Sequence, residues 1–161
     1  MSDTRGFFGI GVYQPKTEEN IGTLWRHAYL YGASFIFTIG RRYKKQGSDT
    51  CKAYRHIPLY NYPTYEDFRK AMPYGAQLVC VELHEQAKSL PSVNHPQQAI
   101  YLLGAEDHGI PFSILWGNQA IQIPAAHPAS MNVAVAGTLV MYDRFLKTTH
   151  PTAAADRTEG V

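Results

Sequence analysis

The chain has 161 residues, 45% apolar and 17% charged, with a formal net charge of +2 at neutral pH. That length suits one α/β domain with a real core, and the composition excludes the disordered and fibrous classes. No apolar run approaches the roughly 20 residues needed to cross a bilayer, residues 1–6 lack a signal-peptide pattern, and the two cysteines, Cys51 and Cys80, have no disulfide or metal-ligand spacing. A cytoplasmic protein with two unpaired thiols, no membrane partner and no metal is expected.

Phe7 to Tyr13 is an apolar, β-favouring run that reads as a first strand, and Gln14 to Asn20 is its exit loop. A helix is expected next, with Asn20 as its N-cap because an Asn side chain accepts from the free amides of a first turn. Leu24, Ala28 and Tyr31 then share one face, and Gly32 ends the helix. Ser34 to Ile39 alternates and is rich in aromatic and β-branched residues, so it is the second strand. Strand, helix, strand in that order calls for a parallel crossover.

Gly40 to His56 has no periodicity. Its Arg41, Arg42, Lys44, Lys45, Lys52 and Arg55 are six cations against one acid, Asp49, so residues 41–55 carry +5 and the rest of the chain −3. Tyr43 and Tyr54 are interleaved among them. Such a loop suits an RNA backbone, with cations for phosphates and tyrosines to stack on unpaired bases; a solvated charged loop is the plainer alternative.

A third strand is expected over Ile57 to Tyr60, then a short helix from Thr64, whose spacing to Asp67 is that of a capping box with Asp in place of Glu. Leu78 to Leu83 reads as a buried strand. Ser89 to Gln98 is polar and broken by Pro91 and Pro96, hence a surface loop. Ala99 to Leu103 is the next strand, Pro111 to Leu115 a brief helix with Pro in its first turn, and Ala120 to Ile123 the last strand. Ser130 is placed to cap a final helix reaching about Lys147, which is apolar on nearly every side and needs cover from its own domain or a second subunit. Residues 1–150 then make one domain, and 151–161 a short frayed tail.

Tyr101–Pro111 and Ile121–Asp143 each open with an apolar strand and break into a loop of Gly, Pro and small residues. Neighbouring strands that end this way build a ligand crevice beyond the edge of an open α/β sheet, so the site is expected there. No G-x-G-x-x-G loop is present, since Gly9 and Gly11 lie inside an apolar strand, and an ordinary dinucleotide fold is disfavoured.

Three stretches in order, Asn20-Ile-Gly-Thr-Leu-Trp-Arg26, Gly104-Ala-Glu-Asp-His-Gly-Ile-Pro111, and Ile123-Pro124 with Ser130-Met-Asn-Val-Ala-Val-Ala136, resemble the three motifs of the SpoU/TrmH group of SPOUT RNA methyltransferases. The resemblance spans about residues 7 to 147. It implies an α/β SPOUT fold, a mostly parallel sheet flanked by helices, with a C-terminal trefoil knot, a pocket for S-adenosyl-L-methionine and a homodimer. It implies transfer of a methyl group to an RNA ribose 2′-hydroxyl, with tRNA the preferred substrate of so compact a chain and rRNA the alternative. A non-catalytic RNA-binding module and a base-nitrogen methyltransferase, with Glu106 or Asp107 as base, are the rival readings.

By the same resemblance, Arg26 is the catalytic arginine, Asn20 helps orient the target nucleotide, and Glu106 holds the guanidinium in one pose. Val81, Gly104, Ile123, Ser130 and Asn132 match positions that bind the cofactor. Each has a plainer reading beside it. Arg26 is then a surface arginine paired with an acid such as Glu19, Asn20, Ser130 and Asn132 are helix caps, Glu106 is a solvated acid, and Val81 and Ile123 are strand core. None of the seven histidines is assigned to catalysis. Trp25, His27 and Ala134 depart from the residues usual in the group, and the loop from Ala125 to Ala129 is a residue shorter than in some relatives.

Overall fold

Residues 6–41, 55–105 and 107–149 are described by a computed structural model of the chain. Seven strands form one sheet: β1 (Phe7–Tyr13), β2 (Phe35–Ile39), β3 (Leu59–Tyr62), β4 (Gln77–Val81), β5 (Lys88–Ser89), β6 (Gln98–Gly104) and β7 (Gln119–Gln122). They lie in the order β3-β2-β1-β6-β4-β7-β5, and every described pairing between them is parallel. Parallel strands need crossovers, and the helices α1 (Glu18–Leu30), α2 (Tyr65–Ala71), α3 (Phe112–Leu115) and α4 (Val133–Thr149) supply them or pack over them.

The alternation of side chains along the central strands feeds two cores. In β6, Tyr101 and Leu103 point into the core under α1 and α4, with Ile10, Val12, Leu24, Ala28, Val140 and Met141. Ile100 and Leu102 point to the other face, with Phe37, Phe68, Cys80, Ile110 and Ile114. Both faces are therefore apolar and helix-covered, which is why β6 reads as a near-continuous hydrophobic run. Cys80 is fully buried there, and loss of solvation pushes its thiol up to about 12, so it packs as a small apolar group. Gly137 lets α4 settle close to α1 and the sheet: a Cβ at that position would stand 2.6 Å from Leu24 Cδ1.

The last strand enters the sheet in an unusual place. β7 lies between β4 and β5, which are consecutive in sequence and already joined by residues 82–87. The chain beyond β7 then returns to pack α4 against α1. A last strand placed between two earlier consecutive strands is the order of the SPOUT-type α/β fold, and it is consistent with the trefoil knot the resemblance implies.

The expected elements are present with shifted edges, and three points are corrected. The N-cap of α1 is Thr17, whose hydroxyl accepts from the amide of Asn20 at 3.4 Å, so Asn20 sits within the first turn. The cap of α4 is Asn132, not Ser130: its Oδ1 accepts from the amides of Ala134 at 2.9 Å and Val135 at 3.2 Å. The segment read as a plain surface loop holds β5 and a 3-10 turn, Leu90–Ser92, and it buries Leu90 and Val93. Thr64 caps α2 as its spacing to Asp67 suggested, its hydroxyl accepting from Asp67 N at 3.1 Å and donating to Asp67 Oδ2 at 2.8 Å. The tail expected after 150 lies outside the described residues.

A polar chain pins the far end of α4. Arg144, 7% exposed, donates to the carbonyls of Pro96 and Gln97 and to Tyr101 Oη. Tyr101, its phenol raised by burial, keeps its proton and donates to His95 Nδ1 at 2.6 Å. His95 Nε2–H then donates to Asp143 Oδ2 at 2.7 Å, and Lys147 meets the same oxygen at 2.7 Å. This tautomer is the one in which every donor in the chain has an acceptor.

Burial holds His95 below its ordinary value of 6.5, outweighing the pull of Asp143, with Lys147 and Arg144 lowering it further. The unfolded chain therefore binds this proton more readily, so the stability is present in full above pH 6.5 and is lost as pH falls through the folded value. Urea midpoints measured downward from neutral pH are expected to fall more steeply for the native chain than for His95→Gln.

Candidate active site

The C-terminal ends of β4, β6 and β7 and the start of α4 enclose a cleft of about 780 Å³. Parallel strands bring these ends to one edge, and the chain forms its irregular loops there. Val81, Gly104, Ile123 and Ser130, far apart in sequence, all line it. Leu103, Ile110, Met131 and Ala136 add apolar wall. Among the described residues, the segment 125–131 makes no backbone hydrogen bond to the rest of the chain, so its amides and carbonyls are available to a ligand. An apolar cleft of this size with exposed backbone polar groups suits an aromatic heterocycle bearing hydrogen-bonding edges.

One wall is held by a residue that sequence reading passed over. Glu82, directly after β4, accepts from Ile110 N at 2.8 Å through Oε2 and from Leu83 N at 3.1 Å through Oε1. It thereby clamps the loop after β6 to the loop after β4. The glycines of that loop make the clamp possible. Gly109 has φ +64°, and a Cβ on it would meet Glu82 Oε2 at 2.7 Å. A Cβ on Gly104 would meet the backbone of Gly109 at 2.6 Å, so its missing side chain serves the loop's own return. The signal in the sequence was an acid ending an otherwise apolar strand, opposite a Gly-Ile pair with amides to satisfy.

The opposite rim is the start of α4. Asn132 lies outside the cleft lining, but its neighbours Met131 and Val133 are in it. While its Oδ1 caps α4, its Nδ2 donates to Asn20 Oδ1 at 3.0 Å. Two residues 112 positions apart are thus joined, and the first turn of α1 is tied to the rim.

Arg26 is exposed on α1, six residues beyond Asn20, or about 9 Å along the helix at about 1.5 Å per residue. It does not line the cleft, and among the described residues it has no ion-pair partner, Glu19 included. Glu106, expected beside it, lies outside the described residues. Its neighbour Asp107 stands 3.7 Å from Lys16 Nζ, so the loops after β6 and β1 meet at the crevice. Of the basic segment, Arg41 and Arg55 are described and exposed, whereas Arg42, Lys44, Lys45 and Lys52 are outside the described residues. Among the described residues no three His, Cys, Asp or Glu side chains gather to hold a metal, and no helix is long and apolar enough to cross a membrane.

Residues 8–142 match the model of the SpoU rRNA methylase family. No curated protein matches the sequence significantly. Among solved structures, one from work on the 2-OH methylation of C/U34 on tRNA superposes with a TM-score of 0.79 at 24% identity, covering 90% of this chain and 98% of its own. The SpoU methyltransferase AviRb from Streptomyces viridochromogenes gives 0.78 at 20% identity over 90% of this chain and 61% of its own. An AdoMet-bound rRNA methyltransferase from Sinorhizobium meliloti gives 0.74 at 24% identity, over 87% and 56%. This chain therefore spans little more than half the length of the latter two, and the likenesses establish the fold.

Removing the Glu82 carboxylate deletes hydrogen bonds to a charged acceptor, worth about 1.5–3 kcal/mol each. Glu82→Ala is expected to speed amide hydrogen exchange at Gly109 and Ile110 by at least about 10-fold. Glu82→Gln, with one acceptor left, should fall between, and unchanged exchange in Glu82→Ala would show that the carboxylate does not hold the loop.

Proposed function

Because the chain belongs to the SpoU rRNA methylase family, we propose that it transfers a methyl group from S-adenosyl-L-methionine to the 2′-hydroxyl of an RNA ribose. The observation that carries this reading is the convergence of Val81, Gly104, Ile123 and Ser130 on one cleft, whose rim is bonded through Asn132 and Asn20 to the helix bearing Arg26. Transfer RNA is the favoured substrate, since the relative studied for C/U34 on tRNA superposes over 90% of this chain and 98% of its own. Ribosomal RNA is the second reading, favoured by the family's description and by the relative from Sinorhizobium meliloti.

The cleft fits the cofactor on its own chemistry. Val81, Leu103 and Ile123 offer apolar walls to an adenine ring, and the unpaired backbone of 125–131 offers partners for its edge. The bound cofactor supplies an electrophilic methyl on a sulfonium. Neither oxygen of Glu82 is idle, since both are spent on backbone amides, so this carboxylate shapes the site instead of acting as a base. Asn132 and Asn20 keep the two sides of the crevice in register. In the transfer a ribose oxygen–carbon bond forms, the sulfur–carbon bond breaks, and the hydroxyl proton passes to water. A guanidinium has no acceptor for that proton. Arg26 instead holds a phosphate of the RNA and stabilises negative charge as it develops on the ribose oxygen, while Asn20 orients the nucleotide.

The enzyme works as a homodimer. Leu139, Tyr142, Phe145 and Leu146 are exposed along α4, with Tyr31 of α1 edge-on to Tyr142 and Phe145. A helix apolar on that outer face as well as the inner one calls for a covering partner, and a second copy would supply it. The cations of residues 41–55, Arg41, Arg42, Lys44, Lys45, Lys52 and Arg55, contribute the sequence-independent attraction for RNA.

The test is transfer of labelled methyl to fractionated tRNA and rRNA, followed by nucleoside analysis. A 2′-O-methylnucleoside is the expected product; a base-methylated one, or none, would refute the reading. Arg26→Ala is expected to lose transfer by at least about 100-fold while cofactor affinity stays within a few-fold. Full activity in that variant would remove Arg26 from the mechanism.

A further inference from the structure

The strand order has a switch point between β1 and β6. From β1 the chain steps outward to β2 and β3 on one side, whereas β6, β4, β7 and β5 lie on the other. Open parallel sheets bind ligands beyond the strand ends at such a boundary. The cleft given to the cofactor occupies only one side of it. On the other side, the ends of β1, β2 and β3 border a smaller crevice of about 250 Å³, whose lining includes Tyr13, Ile39, Gly40, Glu66, Ser113 and Ile114.

The two sites share a wall. Tyr13, at the end of β1, lines the crevice and is the register partner of Gly104, which lines the cleft. Adjacent strands stand about 5 Å apart. Beyond β6 the chain alternates, with Ile110 and Phe112 lining the cleft and Pro111 and Ser113 the crevice. Lys16 Nζ, 3.7 Å from Asp107 Oδ2, ties the loop after β1 to the loop after β6.

Backbone in left-handed conformations shapes the crevice. Gln14 has φ +48°, the one positive value at a non-glycine among the described residues, and Gly40 has φ +57°. Gln14 N donates to Ile39 O at 2.7 Å and Gly40 N to Tyr62 O at 2.8 Å, so the ends of β1 and β2 each turn at a fixed point. Held strain of the kind seen at Gln14 gathers at ligand sites.

Of the polar side chains in the lining, Thr64 is spent on Asp67. Glu66 and Ser113, in the first turns of α2 and α3, make no side-chain hydrogen bond or ion pair among the described residues. A carboxylate acceptor and a hydroxyl therefore meet beside the apolar Ile39 and Ile114, which suits a flat heterocycle with a donor on its edge. Size agrees. The crevice measures 250 Å³ against 780 Å³ for the cleft, and a pyrimidine base has roughly a third of the heavy atoms of S-adenosyl-L-methionine.

We propose that this crevice takes the pyrimidine base of the nucleotide whose ribose is methylated, with Glu66 accepting from its exocyclic amino group and Ser113 donating to the ring position beside it. The base then lies on one side of the shared wall and its 2′-hydroxyl on the other, a span of about one strand spacing. A carboxylate accepts from the amino group of cytosine but meets a carbonyl oxygen at the same place in uracil, so cytosine is preferred. The nucleotide must be unpaired, since pairing occupies that edge of the base. The proposal rests on the reading of an RNA ribose as substrate and goes further, by giving the base a site and two residues that choose it.

Amide chemical shifts of the chain, saturated with S-adenosylhomocysteine and titrated with cytidine 5′-monophosphate, read the crevice directly. The nucleotide is expected to move the amides of Gly40, Glu66 and Ser113 and to bind at least about 5-fold tighter than uridine 5′-monophosphate. Glu66→Gln, whose amide can also donate to uracil, is expected to bring the two nucleotides within about twofold of each other. Ser113→Trp fills the crevice from an exposed position; it is expected to abolish these shifts and to lower methyl transfer to tRNA at least about 100-fold. Its calorimetric affinity for S-adenosylhomocysteine should stay within about twofold of native, which separates a blocked crevice from a damaged fold. If that affinity is lost as well, Glu66→Gln decides alone. Shifts confined to the cleft residues Val81 and Ile123, no shifts at all, or uridine monophosphate bound as tightly as cytidine monophosphate overturn the proposal. So does native transfer by a Ser113→Trp chain. Methyl transfer by the native chain is scored separately: transfer with indifferent crevice variants retains the enzyme and discards the crevice, whereas a native chain that methylates no RNA discards both.

Discussion

The side chain of Asn132 does two things at once, and the site depends on both. Its oxygen caps α4 by accepting from Ala134 and Val135, and its amide nitrogen donates to Asn20 in the first turn of α1. A serine can cap but has no second arm of that length, and an aspartate can cap but cannot donate. With asparagine, the start of the last helix and the start of the first are held as one rim. That rim borders the cleft on one side and leads, along α1, to Arg26 on the other. With the last strand inserted between β4 and β5, this contact ties the C-terminal rim of the cleft to the first turn of α1.

The opposite wall is fixed by a different device. Glu82 takes two backbone amides, and Gly104 and Gly109 give the loop after β6 the room to fold back within reach of it. A carboxylate spent in this way is a structural strut, and the cleft beside it is lined by apolar groups and by a segment, 125–131, that makes no backbone–backbone hydrogen bond among the described residues. The division of labour that follows is simple. The described residues around the cleft supply shape and register, and a bound methyl donor supplies the reactive carbon.

Much of this was legible in the sequence where the signal was local. The strands around Phe7–Tyr13 and Gln98–Gly104, the Thr64 capping box and the apolar last helix follow from periodicity and cap chemistry. The gathering of Val81, Gly104, Ile123 and Ser130 at the strand ends came instead from the resemblance to the family's motifs. What was not legible is decided by partners remote in sequence. Asn20 lies inside the first turn that Thr17 caps, and its side chain accepts from Asn132, 112 residues away. Ser130 and Asn132 compete for the cap of α4, and the residue nearer the helix wins. The two-residue β5 has no periodicity to detect and exists because β7 lies beside it. Glu82 looked like the polar end of a strand, since its partner amide is 28 residues on.

The most direct test of the account is a crystal structure of the chain with S-adenosylhomocysteine, the demethylated cofactor. The ligand is expected in the cleft, touching Val81, Gly104, Ile123 and Ser130, with the bond between Asn132 and Asn20 intact. Ligand bound elsewhere, or an empty cleft at saturating concentration, would contradict it.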